Sequence, residues 1–407
     1  MTRRLREIVV VGGSVAGMRT ATALRTRGYD GRIRVVSAEA VPNYYRPALS
    51  KAFLSGDQDE EHLVLPLADD LGLDVWLGSR ALTLDAKGKW LAVRRESETV
   101  KLGYDGLVIA TGQAPKRLSL PPLEGIHYVR ELAEAHTLRE ALGSSPRVVV
   151  IGGGLIGCEV AATCRKLGLD VTVVEAGDNL LQSVLGARAA RLVTDLHRAH
   201  GVRVLTGTGV SGVHGHRHVE SVRLSTGEQV PADLAVVAVG ARPHTDWLEG
   251  SGLRLDDGVV CAGNLAVQGV DSVVAVGDVA RWPDPTGHGS VRIEHWENAV
   301  RQADTAARTL LDGPGTPPYA AHTTFWSTQY DLQLHVLGHP DAADELRILE
   351  GELDDLNCVA AYQRGGRTTA ILALNQPRRL RAYRHLLDTT APTGTPSQPH
   401  PSGGVRP

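Results

Sequence analysis

The run Val148-Val149-Val150-Ile151-Gly152-Gly153-Gly154-Leu155-Ile156-Gly157-Cys158-Glu159 leaves few folds open. Four β-branched residues in a row read as a buried parallel strand. The run ends on Gly152-x-Gly154-x-x-Gly157, after which Cys158 to Leu167 reads as a helix. Each glycine has its own task in such a turn: a tight bend, close approach of backbone to a pyrophosphate, and close packing of helix on strand. The phosphates rest on the amides and positive end of the new helix. Asp170 to Val174 is a second strand closed by Glu175, which follows Gly157 by 18 residues. That is near the spacing of about 20 at which a carboxylate meets a ribose diol. A lone glycine fingerprint is weak, but two strands, a helix and an acid around it make a dinucleotide-binding unit.

Glu7 to Val11 repeats the pattern. Ile8-Val9-Val10-Val11 leads into Gly12-Gly13-Ser14-Val15-Ala16-Gly17, and Met18 to Arg27 reads as a helix. Ser14 stands where the second glycine belongs; a small side chain still admits a phosphate, though less freely. Ile33 to Ser37 is the next strand, and Glu39 follows Gly17 by 22 residues. Two such sites in one chain suggest two bound dinucleotides. The economical chemistry is hydride transfer from a nicotinamide to a flavin, the protein supplying orientation and electrostatics. A degenerate duplicate site and a tandem nucleotide-binding protein without redox work are the competing readings. The latter is poorer, because nothing else in the chain looks like a kinase, a ligase or a P-loop.

The 407 residues suffice for two or three domains with sizeable cores. A net charge of −3 gives no general argument for nucleic acid or an anionic membrane as partner. Cys158, Cys164, Cys261 and Cys358 form no CxxC and no zinc-ligand spacing, so no metal site is expected. They read as small buried hydrophobes in a reducing cytoplasm. The four apolar residues before Gly12 are too few for an export segment, and no stretch approaches the roughly 18 to 20 needed to span a membrane. A soluble, cytoplasmic protein is expected.

Arg46 and Lys51, in Asn43-Tyr44-Tyr45-Arg46-Pro47-Ala48-Leu49-Ser50-Lys51, put two cations just beyond the first ribose acid. There they either bind a phosphate through charge-assisted hydrogen bonds or are solvated loop charges. Asp74 to Ser79 and Lys89 to Val93 read as strands of a β-rich insert. Leu107-Val108-Ile109-Ala110-Thr111-Gly112 is a buried strand returning to the first sheet. Pro115, Pro121 and Pro122 mark a crossover into the second domain, which runs through Leu234 to Val239 and the turn at Val239-Gly240. Ala275-Val276-Gly277-Asp278 ends a strand on an acid, where ligands of doubly wound sheets bind. A helix runs from about Glu294 to Leu311. After the linker at Gly313 to Pro318, strands are expected at Phe325-Trp326, Leu332 to Val336, Glu345 to Leu349 and Val359 to Tyr362. A helix from about Pro377 to Leu387 closes that unit, and the Pro/Thr/Ser/Gly-rich tail is expected to be disordered. The expected division is 1–112 with 241–312, 113–240, 313–388, and a tail over 389–407.

The ordered motifs Tyr44-x-Arg46-Pro47-x-Leu49-Ser50-Lys51, Ala110-Thr111-Gly112, Gly152-Gly153-Gly154-x-Ile156-Gly157-x-Glu159, Val276-Gly277-Asp278-Val279, Glu294-x-x-x-Asn298-Ala299 and Phe325-Trp326-Ser327-x-Gln329-Tyr330 carry a resemblance. Over residues 7 to about 388 the chain resembles the FAD- and NADH-dependent ferredoxin reductases of bacterial oxygenase systems. The resemblance implies an α/β protein with two Rossmann-like dinucleotide-binding domains, a glutathione-reductase-like FAD/NAD(P) fold, plus a C-terminal α+β domain.

It also implies roles for residues. Gly12, Ser14, Val15, Ala16 and Gly17 would cradle the FAD pyrophosphate, with Glu39 on the adenosine ribose. Arg46, Lys51, Ala81, Ala110, Thr111, Gly112, Arg130, Gly277, Asp278 and Trp296 would complete the FAD site. Gly152, Gly154, Leu155, Ile156, Gly157, Glu175, Val239 and Gly240 would hold NADH. Lys51 and Glu159 resemble the family's ion pair beside flavin and nicotinamide, where an ammonium favours the negative charge arriving with a hydride. The residues alone leave Glu159 equally readable as a first-turn acid suiting the helix dipole. Trp326 resembles an aromatic that faces the ring systems, with a core tryptophan as the alternative. Arg292, Arg301, Arg378, Arg379 and Arg381 are candidate anchors for an acidic iron–sulfur partner.

Ser183 stands where many relatives carry arginine, and Glu175 repels a 2′-phosphate, so NADH is expected over NADPH. Residues 40 to 50 hold no redox cysteine, and no CxxC or CxxxxC pair exists. Electrons would therefore leave the flavin singly for a separate ferredoxin that feeds a cytochrome P450 or a ring-hydroxylating dioxygenase. A rubredoxin reductase, an NADH oxidase, and a redox-sensing flavoprotein like apoptosis-inducing factor remain alternatives. Either a monomer or a homodimer is compatible.

Overall fold

In the computed structural model, residues 5–387 are described apart from 42, 67–70, 145–146, 285–288, 321, 323 and 342. The tail expected to be disordered, 389–407, lies outside the described residues. Glu7–Val11 is the central strand of a five-stranded parallel sheet. Arg32–Val36 flanks it on one side and Gly106–Ile109 on the other. Val273–Ala275 lies beyond Gly106–Ile109. Ile8, Val9 and Val10 are fully buried, in one core that helix residues such as Met18 and Ala306 share with Leu84, Leu91 and Val93 of the antiparallel insert. The helices Val15–Thr26 and Trp296–Asp312 pack together through a core that holds small residues, Ala16, Ala299 and Ala306 among them.

The segment expected to begin the β-rich insert is instead the edge strand of this sheet. Leu73–Trp76 pairs in parallel with Arg32–Val36. Arg34 fixes the register from the side: it lies 2.9 Å from Asp74 and stacks 4.6 Å over the Trp76 ring. The insert itself is an antiparallel meander of Ser79–Asp85, Trp90–Arg95 and Glu98–Gly103.

A second five-stranded parallel sheet repeats the plan around Arg147–Ile151. Asp170–Val174 and then Arg203–Leu205 lie on one side, Leu234–Val237 and Ile126–His127 on the other. The chain enters and leaves this unit side by side, because Gln113–Pro115 pairs antiparallel with Ala241–Pro243.

The third sheet is antiparallel, in the order Thr324–Gln329, Leu332–Gly338, Arg367–Leu374, Asn357–Arg364, Glu345–Glu352. Its central strand, Arg367–Leu374, is absent from the sequence reading; it is near-continuously apolar and carries no alternation to mark it. The expected helix from Pro377 is broken into three short turns, Pro377–Arg379, Leu380–Tyr383 and Arg384–Leu386. Of its residues only Leu380 and Leu387 are buried, too little apolar surface to hold a longer helix. One core joins this sheet to the second nucleotide-binding unit: Phe325, Leu334 and Leu372 share it with Val150, Val160 and Cys164. Among the described residues no helix is long and apolar enough to cross a membrane.

Candidate active site

Each glycine turn is built on a backbone that other residues resist. Gly12 has φ +120°, and a Cβ there would lie 2.1 Å from the Ala110 carbonyl oxygen. Gly152 has φ +106°, with the Ala238 carbonyl oxygen 2.4 Å from the same position. Gly17 and Gly157 let each helix settle on its turn, against the carbonyls of Gly12 and Gly152. The helices start at Val15 and Leu155, three residues earlier than the sequence reading placed them. Neither has a side-chain cap or an acid in its first turn, so the amides stay available for an anion. Ser14 takes the second glycine's place in an extended conformation open to any residue, and its hydroxyl accepts from Arg46 Nε at 3.1 Å. The substitution therefore adds a tie to a cation.

A single cavity of about 610 Å³ runs from the first turn to the second. Gly12, Ser14, Val15, Ala16, Glu39, Arg46 and Ala81 line it at one end. Ala110, Thr111, Gly112, Arg130, Gly277, Asp278 and Trp296 line its middle, and Gly154, Leu155, Ile156, Gly240 and Trp326 its far side. Gly17, Gly152, Gly157, Val239 and Glu175 do not form its wall. Gly152 and Val239 belong to turn and strand-end backbone, and Gly17 and Gly157 to the first turns of the two helices. The fifth, Glu175, accepts from the Gly153 amide at 2.6 Å and the Gly177 amide at 2.7 Å, so its carboxylate ties the second turn together.

The cavity wall fits a polar, elongated ligand. Gln113 Oε1, Trp247 Nε1 and His295 Nδ1 are buried in it without a hydrogen-bond partner. Such orphans are costly unless a ligand or water satisfies them. At one end Glu39 accepts from the Tyr44 hydroxyl at 2.6 Å and pairs with Arg46. Arg130 pairs with Asp278 at 3.1 Å, drawing the ends of two distant strands onto one charge. Burial, and then the charges of Glu39 and Glu134, push the Glu131 carboxyl above its ordinary range.

Lys51 Nζ lies 2.5 Å from Glu159 Oε2. The carboxylate is 3% exposed and both of its oxygens also accept hydroxyls: Ser50 Oγ at 2.6 Å and Ser327 Oγ at 2.7 Å. Lys51 also donates to the Pro47 carbonyl at 3.1 Å. Because the helix starts at Leu155, Glu159 sits in its second turn, which removes the dipole reading of this acid. Ser50 and Ser327 lie within motifs singled out in the sequence, yet nothing in those motifs signals that they converge on one carboxylate.

Trp326 is half-buried on the cavity wall, whereas its neighbour Phe325 is the core residue. Tyr45, given no role by the sequence, meets the Trp296 ring edge-on at 5.1 Å, and burial raises its hydroxyl's pKa. All four cysteines are free and buried. Burial pushes the thiols of Cys164 and Cys261 up to about 12, and raises Cys158 further still. Among the described residues no group of His, Cys, Asp and Glu is placed to hold a metal ion.

The five-arginine anchor needs correction. Arg292 is only 10% exposed, bound to Asp257 at 3.2 Å and Glu294 at 2.7 Å, so it faces no partner. Arg301 pairs with Glu297 and Arg379 with Glu350, each at 2.5 Å. Arg378 and Arg381 are exposed and in no ion pair among the described residues.

The pyridine nucleotide-disulphide oxidoreductase family model matches residues 6–303, and a reductase C-terminal model matches 324–398. The chain is 36% identical to the benzene 1,2-dioxygenase system ferredoxin–NAD(+) reductase subunit of Pseudomonas putida, over 91% of this chain and 90% of that one. It is 34% identical to rhodocoxin reductase of Rhodococcus erythropolis, over 96% and 91%. Its fold superposes with a TM-score of 0.88 on the reductase in a covalent putidaredoxin reductase–putidaredoxin complex, at 30% identity over 94% and 93% of the two chains. The protein belongs to the pyridine nucleotide-disulphide oxidoreductase family and carries that group's reductase C-terminal domain.

Proposed function

We propose that this protein is an FAD-dependent NADH:ferredoxin oxidoreductase, taking a hydride from NADH and delivering single electrons to a ferredoxin that serves a cytochrome P450 or dioxygenase. The observation that carries the reading is one cavity joining two glycine turns, with the Lys51–Glu159 pair on its wall and no reactive thiol in it. The first turn, Glu39, Arg46, Arg130 and Asp278 would hold FAD. Gln113, Trp247 and His295 would give it their unpaired atoms. Gly154, Leu155, Ile156 and Gly240 would receive NADH, and Glu175 with Ser183 disfavours a 2′-phosphate. The FAD unit would span 1–112 and 241–312, the NADH unit 113–240 and the C-terminal unit 313–388.

Once bound, FAD supplies the exchange of one two-electron step for two one-electron steps. The protein's part is electrostatic and steric. Lys51 sets a positive charge where a hydride's negative charge must arrive, in a site walled in part by Trp296 and Trp326. Glu159 holds that ammonium in place. Four free cysteines support a reducing, cytoplasmic setting. Cytochrome c reduction by the purified protein with NADH tests the reading: it should require added ferredoxin. Equal turnover without it, or only with a rubredoxin, contradicts the proposal.

A further inference from the structure

Glu159 is the end of a longer chain of polar groups. Ser327 Oγ donates to it at 2.7 Å, and Gln329 Nε2 donates to Ser327 Oγ at 3.0 Å. Gln329 Oε1 lies 2.9 Å from His197 Nε2, and the Tyr330 hydroxyl lies 3.1 Å from His197 Nδ1. The outer end is capped by His200, stacked on the Tyr330 ring at 3.7 Å.

The direction of every bond is fixed by its end. An ionised carboxylate only accepts, so Ser327 must donate, and its oxygen then receives the Gln329 amide. The Gln329 carbonyl can only accept, so His197 carries its proton on Nε2 and takes the tyrosine's proton in a hydrogen bond on Nδ1. This needs a neutral imidazole, and burial supplies one by pushing the His197 pKa down to about 4. Bonds aligned head to tail polarise one another, and the polarisation accumulates on Glu159.

Packing alone does not call for such a chain. His197 and Ser327 are fully buried and Gln329 is 1% exposed, at a junction where the surrounding core is apolar. Apolar residues of the same size would fill that space without the cost of desolvating polar groups. Tyr330 also adopts φ +55° in the two-residue turn between Thr324–Gln329 and Leu332–Gly338, a conformation usually left to Gly, Asn or Asp. Strain is accepted there to bring its phenol onto His197.

We propose that Ser327, Gln329 and His197 are positioning residues for the proposed hydride transfer, a one-way hydrogen-bond chain that holds the Glu159 carboxylate against Lys51. The inference rests on the oxidoreductase reading for its chemistry. It makes the helix Gln182–Ala199 and the C-terminal sheet working parts of the site, although neither His197 nor Gln329 lies on the cavity wall.

The test uses the full-length FAD-loaded protein and the variants Ser327→Ala, His197→Phe, the double variant, Ser327→Thr, and Tyr362→Phe. Tyr362 donates to the Leu185 carbonyl at 2.8 Å, so it ties the same helix to the same sheet without touching the chain. Anaerobic stopped-flow separates the limiting rate of flavin bleaching from the NADH dissociation constant. Ser327→Ala and His197→Phe should each lower the limiting rate by about tenfold with NADH affinity little changed. The double variant should be no slower than Ser327→Ala, because His197 acts through Ser327. Ser327→Thr should recover most of the rate, and Tyr362→Phe should lower the melting temperature but not the rate. The flavin midpoint potential, measured with dyes and no pyridine nucleotide, should shift in both single variants and no further in the double.

Additive losses, an equal slowing in Tyr362→Phe, or unmoved rates and potentials in the single variants would overturn the inference. A wild-type protein that NADH does not reduce would sink the oxidoreductase reading instead, while the potentials would still report on the chain.

Discussion

Lys51 and Glu159 form a 2.5 Å ion pair between a loop that follows the first nucleotide unit's second strand and the helix that follows the second unit's central strand. A carboxylate 3% exposed that also accepts two hydroxyls is costly to bury unless its counter-ion is retained. Replacing Glu159 by Gln strands the ammonium and frees it to turn away. The variant should keep its FAD and lose roughly 10- to 100-fold in the rate of flavin reduction. Absorbance near the flavin maximum, before and after mixing with NADH, checks both halves.

The two turns should fail separately. A methyl group at Gly12 or Gly152 meets a carbonyl oxygen and a positive φ, a strain of about 1–3 kcal/mol. Gly12→Ala should lower the flavin content of the purified protein. Gly152→Ala should keep the flavin and raise the NADH concentration needed for half-reduction. Loss of flavin in both would contradict the assignment of the turns.

Glu175 braces the Gly153 and Gly177 amides behind the cavity wall. Glu175→Ala leaves those amides unpaired and should weaken NADH binding by about tenfold. Adding Ser183→Arg supplies a cation on the cavity wall and should raise NADPH use relative to NADH. Steady-state kinetics with both coenzymes measure the ratio.

His197 and His295 are held neutral by burial, with pKa values pushed down to about 4 and about 3. From pH 6.5 down to those values the unfolded chain binds more protons than the folded one, so stability falls as pH falls. The slope approaches roughly 1.4 kcal/mol per pH unit for each histidine. Melting temperature should therefore decline from pH 6.5 towards 4, and less steeply in His197→Phe.

Legibility followed distance along the chain. Strand, glycine turn and helix are neighbours in sequence, so both nucleotide units could be read from Ile8-Val9-Val10-Val11 and Val148-Val149-Val150-Ile151. The place of Leu73–Trp76 in the first sheet is not legible, because its partner strand, Arg32–Val36, lies far upstream and nothing local names it. Arg367–Leu374 leaves no strand signal because a strand buried in mid-sheet need not alternate. Arg292 looked like an exposed anchor because the acids that bury its charge, Asp257 and Glu294, are brought to it only by the fold. Ser50 and Ser327 meet on Glu159 and His197 joins them through Gln329, from three separate stretches, and residue type alone carries no trace of that meeting.

The central claim is that reducing equivalents pass from a pyridine nucleotide to a flavin across one cavity with no thiol between. Anaerobic titration of the purified protein with NADH, followed by its visible spectrum and by thiol counting after denaturation, tests it most directly. Full flavin bleaching by one equivalent of NADH per flavin is expected, with four thiols found before and after. A protein without flavin bands, or one that takes up two equivalents and gains thiols on reduction, would contradict it.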